Sequence, residues 1–268
     1  MHNLTQRYRY TYILLIQLVK TDFKLRYQGS VLGYAWSLLR PLFLFIILYI
    51  VFAKFLKVGG SIPNFPVYLL LGIVLWNYFV EVTMGSVGAI VGKGDLLRKI
   101  NFPKYVLILA GSASAFINLL LNFVVIAFFM ILTGVTVTWS ALIMIPLIIE
   151  LFVFAIACAF FLSALYVKFR DVTYIWEVIL QAGFYATPIL YPLSLIPTQA
   201  AKLLILNPMA QIIQDARYVL VTKETDTIYS LWGGNVWIWA IPLGIVIITT
   251  VLAATYFRKR SKYFAEEV

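Results

Sequence analysis

Six long apolar stretches run along this chain: Val31–Phe52, Phe65–Val91, Val106–Thr133, Trp139–Val167, Val172–Ile189 and Val236–Phe257. Short polar gaps separate most of them, and each stretch holds at most one charged residue. About 20 apolar residues rising roughly 1.5 Å each cross a hydrocarbon core about 30 Å thick. Each stretch therefore predicts a transmembrane helix, the fifth being the shortest. The expected fold is an all-α polytopic membrane protein, a single domain over residues 1–268 with no internal repeat and no linker.

Shorter periodicities fill the gaps. Between Thr11 and Gln28, the residues Gln17, Lys20, Thr21, Lys24 and Gln28 recur at helical spacing as a polar stripe. Ile13, Ile16, Val19, Phe23 and Tyr27 form the opposite side. An amphipathic helix with cations at its polar edge belongs in the membrane interface, not across it. Gly29 ends it. Residues 93–105 form a loop with room for a short helix around Asp95–Ile100, closed by Pro103, whereas Gly134–Thr138 and Lys168–Asp171 are tight connections.

Residues 190–235 are too many for a turn and too apolar for a solvated loop. Thr187-Pro188 and Tyr191-Pro192 interrupt the chain, and Asn207-Pro208 supplies an N-cap followed by a first-turn proline. Beyond it Met209, Ile212, Ile213, Ala216 and Val219 or Leu220 make an apolar stripe, with Gln211, Gln214, Asp215 and Tyr218 opposite. This predicts an amphipathic helix in an outer re-entrant segment packed against protein. Its polar stripe is then placed to meet water or substrate at an exit.

Composition agrees with a membrane protein: 63% of residues are hydrophobic and 12% charged, with a mean hydropathy of +0.94. The net charge of +10 does not indicate nucleic acid, because the cations flank spans instead of sharing one face. Arg7, Arg9, Lys20, Lys24 and Arg26 precede the first span. Lys93, Arg98, Lys99 and Lys104 follow the second, Lys168 and Arg170 the fourth, and Arg258, Lys259, Arg260 and Lys262 the sixth. Those 15 stand against 5 in the alternate gaps: Lys54, Lys57, Lys202, Arg217 and Lys223. Cytoplasmic loops carry the excess of Lys and Arg, so both termini are expected inside. The first 28 residues do not read as a signal peptide.

Candidate chemistry is sparse. The one histidine, His2, offers no triad or metal site, and the one cysteine, Cys158, forms no internal disulfide. Gly88–Gly94 fails as a phosphate loop, because Val87 stands where the first glycine belongs and Gly94 replaces the required Ser or Thr. ATP hydrolysis is not expected here by that route. Intramembrane ionisable groups are functional candidates; here they are Arg40, beside the kinking Pro41, and Glu81 and Glu150, with Glu177 near the inner end of the fifth stretch. The acids either serve transport or pair with Arg40 and helix ends. Tyr34, Trp36, Trp76, Tyr78, Tyr174 and Trp176 lie within or beside the more polar parts of their spans, where aromatic rings either anchor at the interface or line a glycan path.

Several segments together resemble a known family. They are Lys20–Tyr27 leading into Gly29–Pro41, Leu96–Lys104, Phe169–Val172, Pro188–Pro192 and Asn207-Pro208-Met209. In this order they resemble ABC-2-type permeases that export lipid-linked polysaccharides (O-antigen, capsule or wall teichoic acid). Arg40 departs from the pattern, standing where many members carry asparagine. The resemblance implies six spans in the cytoplasmic (inner) membrane, a homodimer, and two copies of a separate cytoplasmic P-loop ATPase that holds ATP and magnesium. This chain would then carry no cofactor and bind no nucleic acid; its partners are the ATPase, membrane lipid and an undecaprenyl-linked glycan. By the same resemblance, Asp22, Arg26, Arg98, Lys99, Lys104, Arg170 and Asp171 serve coupling to the ATPase. Tyr34, Trp36, Arg40, Trp76, Tyr78 and Glu81 belong to the translocation path, and Pro188, Tyr191, Asn207, Pro208, Gln211 and Gln214 to an outer gate. The rival readings are an exporter of a small hydrophobic compound, a membrane-embedded transferase and a gradient-driven carrier.

Overall fold

The structure is a computed structural model that describes residues 2–26, 30, 32–33, 35–95 and 102–267. The described residues are helical, with no strand among them. The α-helices are α1 (His2–Arg26), α2 (Ala35–Tyr49), α3 (Phe65–Val87), α4 (Tyr105–Thr133), α5 (Met144–Lys168), α6 (Val172–Ala186), α7 (Thr198–Leu204), α8 (Pro208–Leu220), α9 (Ile228–Leu231), α10 (Ala240–Arg260) and α11 (Phe264–Glu267).

Among the described residues, five helical stretches are long and apolar enough to cross a membrane: Ala35–Phe55, Phe65–Val87, Tyr105–Thr133, Trp139–Lys168 and Val236–Arg260. They match five of the expected spans to within a few residues at each end. The fifth expected span differs. Its helix α6 has 15 residues and stops at Ala186, because Thr187 turns extended (ψ 138°) ahead of Pro188. Proline disfavours a helical conformation in the residue before it. At roughly 1.5 Å per residue, α6 covers about 22 Å, less than the hydrocarbon thickness.

Helix α3 is the hub. It is apolar on nearly every side, as a fully enclosed helix must be, and 78% of an 18-residue stretch of it is buried against 11% of one in Ala35–Phe55. Around it pack α2, α4, α5, α6 and α8; α10 lies along α5, and α1 along α4. Helix α1 begins nine residues before the expected start at Thr11 and buries Leu18. Helix α4 stops at Gly134, whose φ of 70° is left-handed; the Val135 N–H then turns back to the Met130 carbonyl at 2.9 Å.

The bundle has two distinct ends. At the terminal end, Lys104 Nζ donates to the Ser261 carbonyl at 2.6 Å, and Phe257 packs edge-on against Phe160 and Phe264. This gathers the start of α4 and the ends of α5 and α10. At the far end, Ser140 Oγ donates to the Val219 carbonyl and α8 packs on the first turns of α3.

Pro41 does not break the first span. It sits buried within α2, and the helix loosens later, in a π-helical turn at Ile50–Phe55. A proline removes the donor for the carbonyl four residues earlier, here that of Ser37. Asn122 of α4 donates to that carbonyl at 3.4 Å. The short helix expected around Asp95–Ile100 falls largely outside the described residues.

Candidate functional site

The far-end segment is built around α8. Asn207 caps it as expected, its Oδ1 accepting from the Met209 N–H at 3.0 Å, with Pro208 in the first turn. The stripe of Met209, Ile212, Ile213, Ala216 and Val219 is buried, as its spacing predicts. The opposite stripe corrects the sequence reading. Gln211, Gln214 and Asp215, expected to face water, are buried too, and only Tyr218 remains exposed. The reason is that α8 is wedged between α3, α5 and α10, and two of those helices offer polar groups to it. Tyr68 of α3 donates to Gln214 Oε1 at 3.5 Å. Gln211 Nε2 donates to Asp215 Oδ2 at 2.6 Å, and the Gln211 side chain also faces Glu150 of α5.

The central group of this end is one the charge pattern counted only as an outside cation. Arg217 is fully buried. Its Nε donates to the Tyr68 carbonyl at 3.0 Å, Nη1 to the Pro188 carbonyl at 2.6 Å and Nη2 to the Ile189 carbonyl at 2.6 Å. Its Cζ lies 3.6 Å from the Tyr68 ring centroid, in cation–π contact. Two of these carbonyls belong to the chain break after α6, where no helical donor exists. The guanidinium thus ties three separate pieces together: α8, the first turn of α3 and the end of α6. Gly72 makes room, since a Cβ there would lie 2.5 Å from Arg217 Nη2. Burial pulls the guanidinium down from its usual value, opposed by the Tyr68 contacts. Burial pushes the Asp215 carboxyl up to about 7, with the Gln211 hydrogen bond pulling the other way.

A second polar seam crosses α2, α3 and α4. Asn118 Nδ2 donates to Glu81 Oε1 at 2.7 Å, and Asn122 Nδ2 donates to the Asn118 carbonyl at 2.8 Å as well as to that of Ser37. Of the other path candidates, Trp76 and Tyr78 are buried, packed on Phe184 and Phe116 respectively, while Trp36 and Arg40 are exposed on α2. Tyr34 lies outside the described residues. The chain break holds Pro188 buried, and Tyr191 Oη donates to the Tyr185 carbonyl at 2.8 Å.

The coupling candidates gather less completely. Lys104 is engaged with Ser261 and faces the Phe264 ring at 5.8 Å. Arg170 and Asp171 are exposed in the connection between α5 and α6. Asp22 is half-buried on α1, Arg26 is that helix's last residue, and Arg98 and Lys99 fall outside the described residues.

The profile of the family described as "ABC-2 type transporter" matches residues 13–221. The chain belongs to the ABC-2 type transporter family. Three curated relatives, each called O-antigen export system permease protein RfbA, are similar along nearly their whole length. That from Myxococcus xanthus is 30% identical over 95% of both chains. Two from Klebsiella pneumoniae are 30% and 28% identical over 96% of this chain and 95% of theirs. As an ABC-2 family member with five helices of spanning length, the chain is a multi-pass protein of the inner membrane.

Sequence reading missed Arg217, Asn118 and Asn122 as structural polar groups. One signal for Arg217 was present. It follows Ile213 by four residues, which places a cation in register with the buried face of α8.

Proposed function

We propose that this ABC-2 protein is the membrane subunit of an ATP-driven exporter of undecaprenyl-linked polysaccharide, working as a homodimer with two copies of a cytoplasmic P-loop ATPase. Support comes from the O-antigen permease names of its relatives and from one structural observation. Helix α6 turns an aromatic and polar stripe, Tyr174, Glu177, Gln181 and Tyr185, away from its own bundle, and all four are exposed. A carboxylate and an amide at membrane depth are costly against lipid. The stripe therefore suits a wet wall facing a second copy, where tyrosine rings stack on sugars while Glu177 and Gln181 bond to hydroxyls.

In this reading α6 and the chain break after it together form the fifth span, which brings the total to six. The terminal end lies in the cytoplasm, which the lysine and arginine distribution favours, with the Lys168–Asp171 connection and residues 93–105 against the ATPase. The α7–α9 segment closes the outer exit. The membrane subunit binds and guides the glycan and performs no covalent chemistry; the ATPase supplies the energy.

The test is reconstitution of this chain with its ATPase in vesicles. Lipid-linked polysaccharide is expected to stimulate ATP hydrolysis, and Glu177→Leu/Gln181→Leu to abolish that stimulation while leaving basal hydrolysis intact. Stimulation by small hydrophobic compounds and not by glycan, or glycan stimulation unaffected in the double variant, overturns the reading.

A further inference from the structure

Where α8 meets α5, buried acceptors outnumber unpartnered donors; the one unpartnered donor on α8 among the described residues is Gln214 Nε2, whose amide oxygen accepts from Tyr68 of α3. Glu150 Oε1, Gln211 Oε1 and Asp215 Oδ1 are all buried without a hydrogen-bond partner, and they belong to one cluster spanning α5 and α8. Gln211 and Asp215 are 1% and 3% exposed, so bulk water does not answer these atoms. The cluster's own donors are few. The Gln211 amide has two hydrogens, one of them used on Asp215 Oδ2, while the two carboxylates and the amide oxygen are acceptors throughout. Arg217, on the same helix, spends its Nε, Nη1 and Nη2 on backbone carbonyls. Turning the Gln211 amide over does not help, since it would set an oxygen against Asp215 Oδ2. A proton on either carboxyl changes an acceptor into an O–H donor and relieves the shortage.

We propose that Glu150 and Asp215 form a proton site whose occupancy locks α8 against α5. With the proton present, a carboxyl O–H bonds to the Gln211 amide oxygen or to the opposite carboxylate, and α8 stays docked. With the proton lost, the buried Asp215 and the half-buried Glu150 are both anions that repel each other across the α5–α8 contact, and the segment loosens. Other titratable groups facing α8 do not compensate. Tyr68 of α3 bonds Gln214, Arg217 is engaged with carbonyls, Tyr229 of α9 is exposed, and residues 240–255 of α10 carry no titratable side chain. The raised Asp215 carboxyl agrees with this arrangement. The proton site stands on the geometry alone; that its release opens an export exit rests on the transport reading above.

The sign follows from linkage. A carboxyl at about 7 when folded, against 3.8 as its ordinary value, binds more protons in the folded state between those limits. Its stabilising effect is complete below the lower limit and is lost as pH rises through the upper one. The full-length chain in detergent is thus expected to lose several degrees of melting temperature between pH 5 and pH 8 (two values that bracket about 7). Asp215→Asn and Glu150→Gln, which supply donors without a charge, are expected to match the wild type at pH 5, exceed it at pH 8 and flatten the slope. Should either variant fail to fold, infrared spectroscopy of the wild type reads the same site directly. A protonated-carboxyl carbonyl band is expected at pH 5 and not at pH 8. An unchanged slope in both folded variants, the absence of that band at pH 5, or stabilisation that follows sodium instead of pH would each overturn the proton site. A site confirmed by these readouts alongside pH-independent export would leave the lock in place and remove its role in gating.

Discussion

Arg170 and Arg217 lie at opposite ends of the bundle, and each sits over a tyrosine. Arg170 stands in the exposed connection between α5 and α6, 5.1 Å from the Tyr166 ring centroid. Arg217 lies 3.6 Å from that of Tyr68, fully buried, with three backbone carbonyls on its guanidinium. A hydrated guanidinium keeps its solvation and is available to a partner. A buried one is tolerated only where geometry replaces its water. The same residue type therefore marks a surface suited to docking at one end and a fixed joint at the other.

The largest expected effect tests the joint. Arg217→Ala leaves the carbonyls of Tyr68, Pro188 and Ile189 without that donor, and each unanswered buried acceptor costs roughly 1–3 kcal/mol. The variant is expected to lose its far-end packing, read as loss of a sharp melting transition and rapid proteolysis within residues 187–231. Arg217→Lys keeps the charge but not the fork, so it should rescue only in part. Wild-type melting in Arg217→Ala would break the comparison.

The next test approaches the same joint from α3. Gly72→Ala adds a methyl whose nearest neighbours are Arg217 Nη2 at 2.5 Å and Cζ at 3.2 Å. The tip of an arginine normally yields, but this one is held by three bonds. A cost of roughly 1–3 kcal/mol is expected, as for other overpacked cores, although alanine favours a helix over glycine by about 1 kcal/mol. A more stable Gly72→Ala would show that the guanidinium is free to move.

How much of this was legible in the sequence divides along the same line. Five spans were readable to within a few residues, because twenty-residue apolar runs and flanking cations depend on composition alone. The cap at Asn207 and the apolar stripe of α8 were readable because capping and helical spacing are local. Burial of the polar stripe was not. Gln211, Gln214 and Asp215 read as solvated because amphipathic spacing normally separates water from core. Only the tertiary arrangement brings Tyr68 and Glu150 to them. The early end of α6 was half legible: Thr187-Pro188 announced a break, while the apolar run carried the eye on to Ile189.

A smaller effect separates local from tertiary contributions within the far end. Asn207→Ala removes the side-chain acceptor from the Met209 N–H, a loss of about 1 kcal/mol for a typical cap. Melting should fall modestly and the transition should stay cooperative, because Arg217 still holds the segment. Loss of cooperativity as severe as in Arg217→Ala would mean that the cap, not the guanidinium, organises α8.

The smallest expected change in stability belongs to the other end. Lys168 and Arg170 are exposed, and their contacts are the Phe169 and Tyr166 rings, each at 5.1 Å. Reversing both, Lys168→Glu with Arg170→Glu, removes favourable charge from the last turn of α5 and adds favourable charge ahead of α6, so the two helix-dipole contributions oppose each other. Exposed ion and ring contacts are weak in any case. Asp171, directly before α6, is left in place so that the start of that helix is undisturbed. Melting is therefore expected to match the wild type. If the ATPase docks here as proposed, its binding, measured by co-purification from membranes, is expected to drop steeply, because two cations become two anions. A fall in melting temperature would show that this end carries structural weight after all. Unchanged melting with unchanged ATPase binding would move the docking face elsewhere on the terminal end, with residues 93–105 as the next place to look.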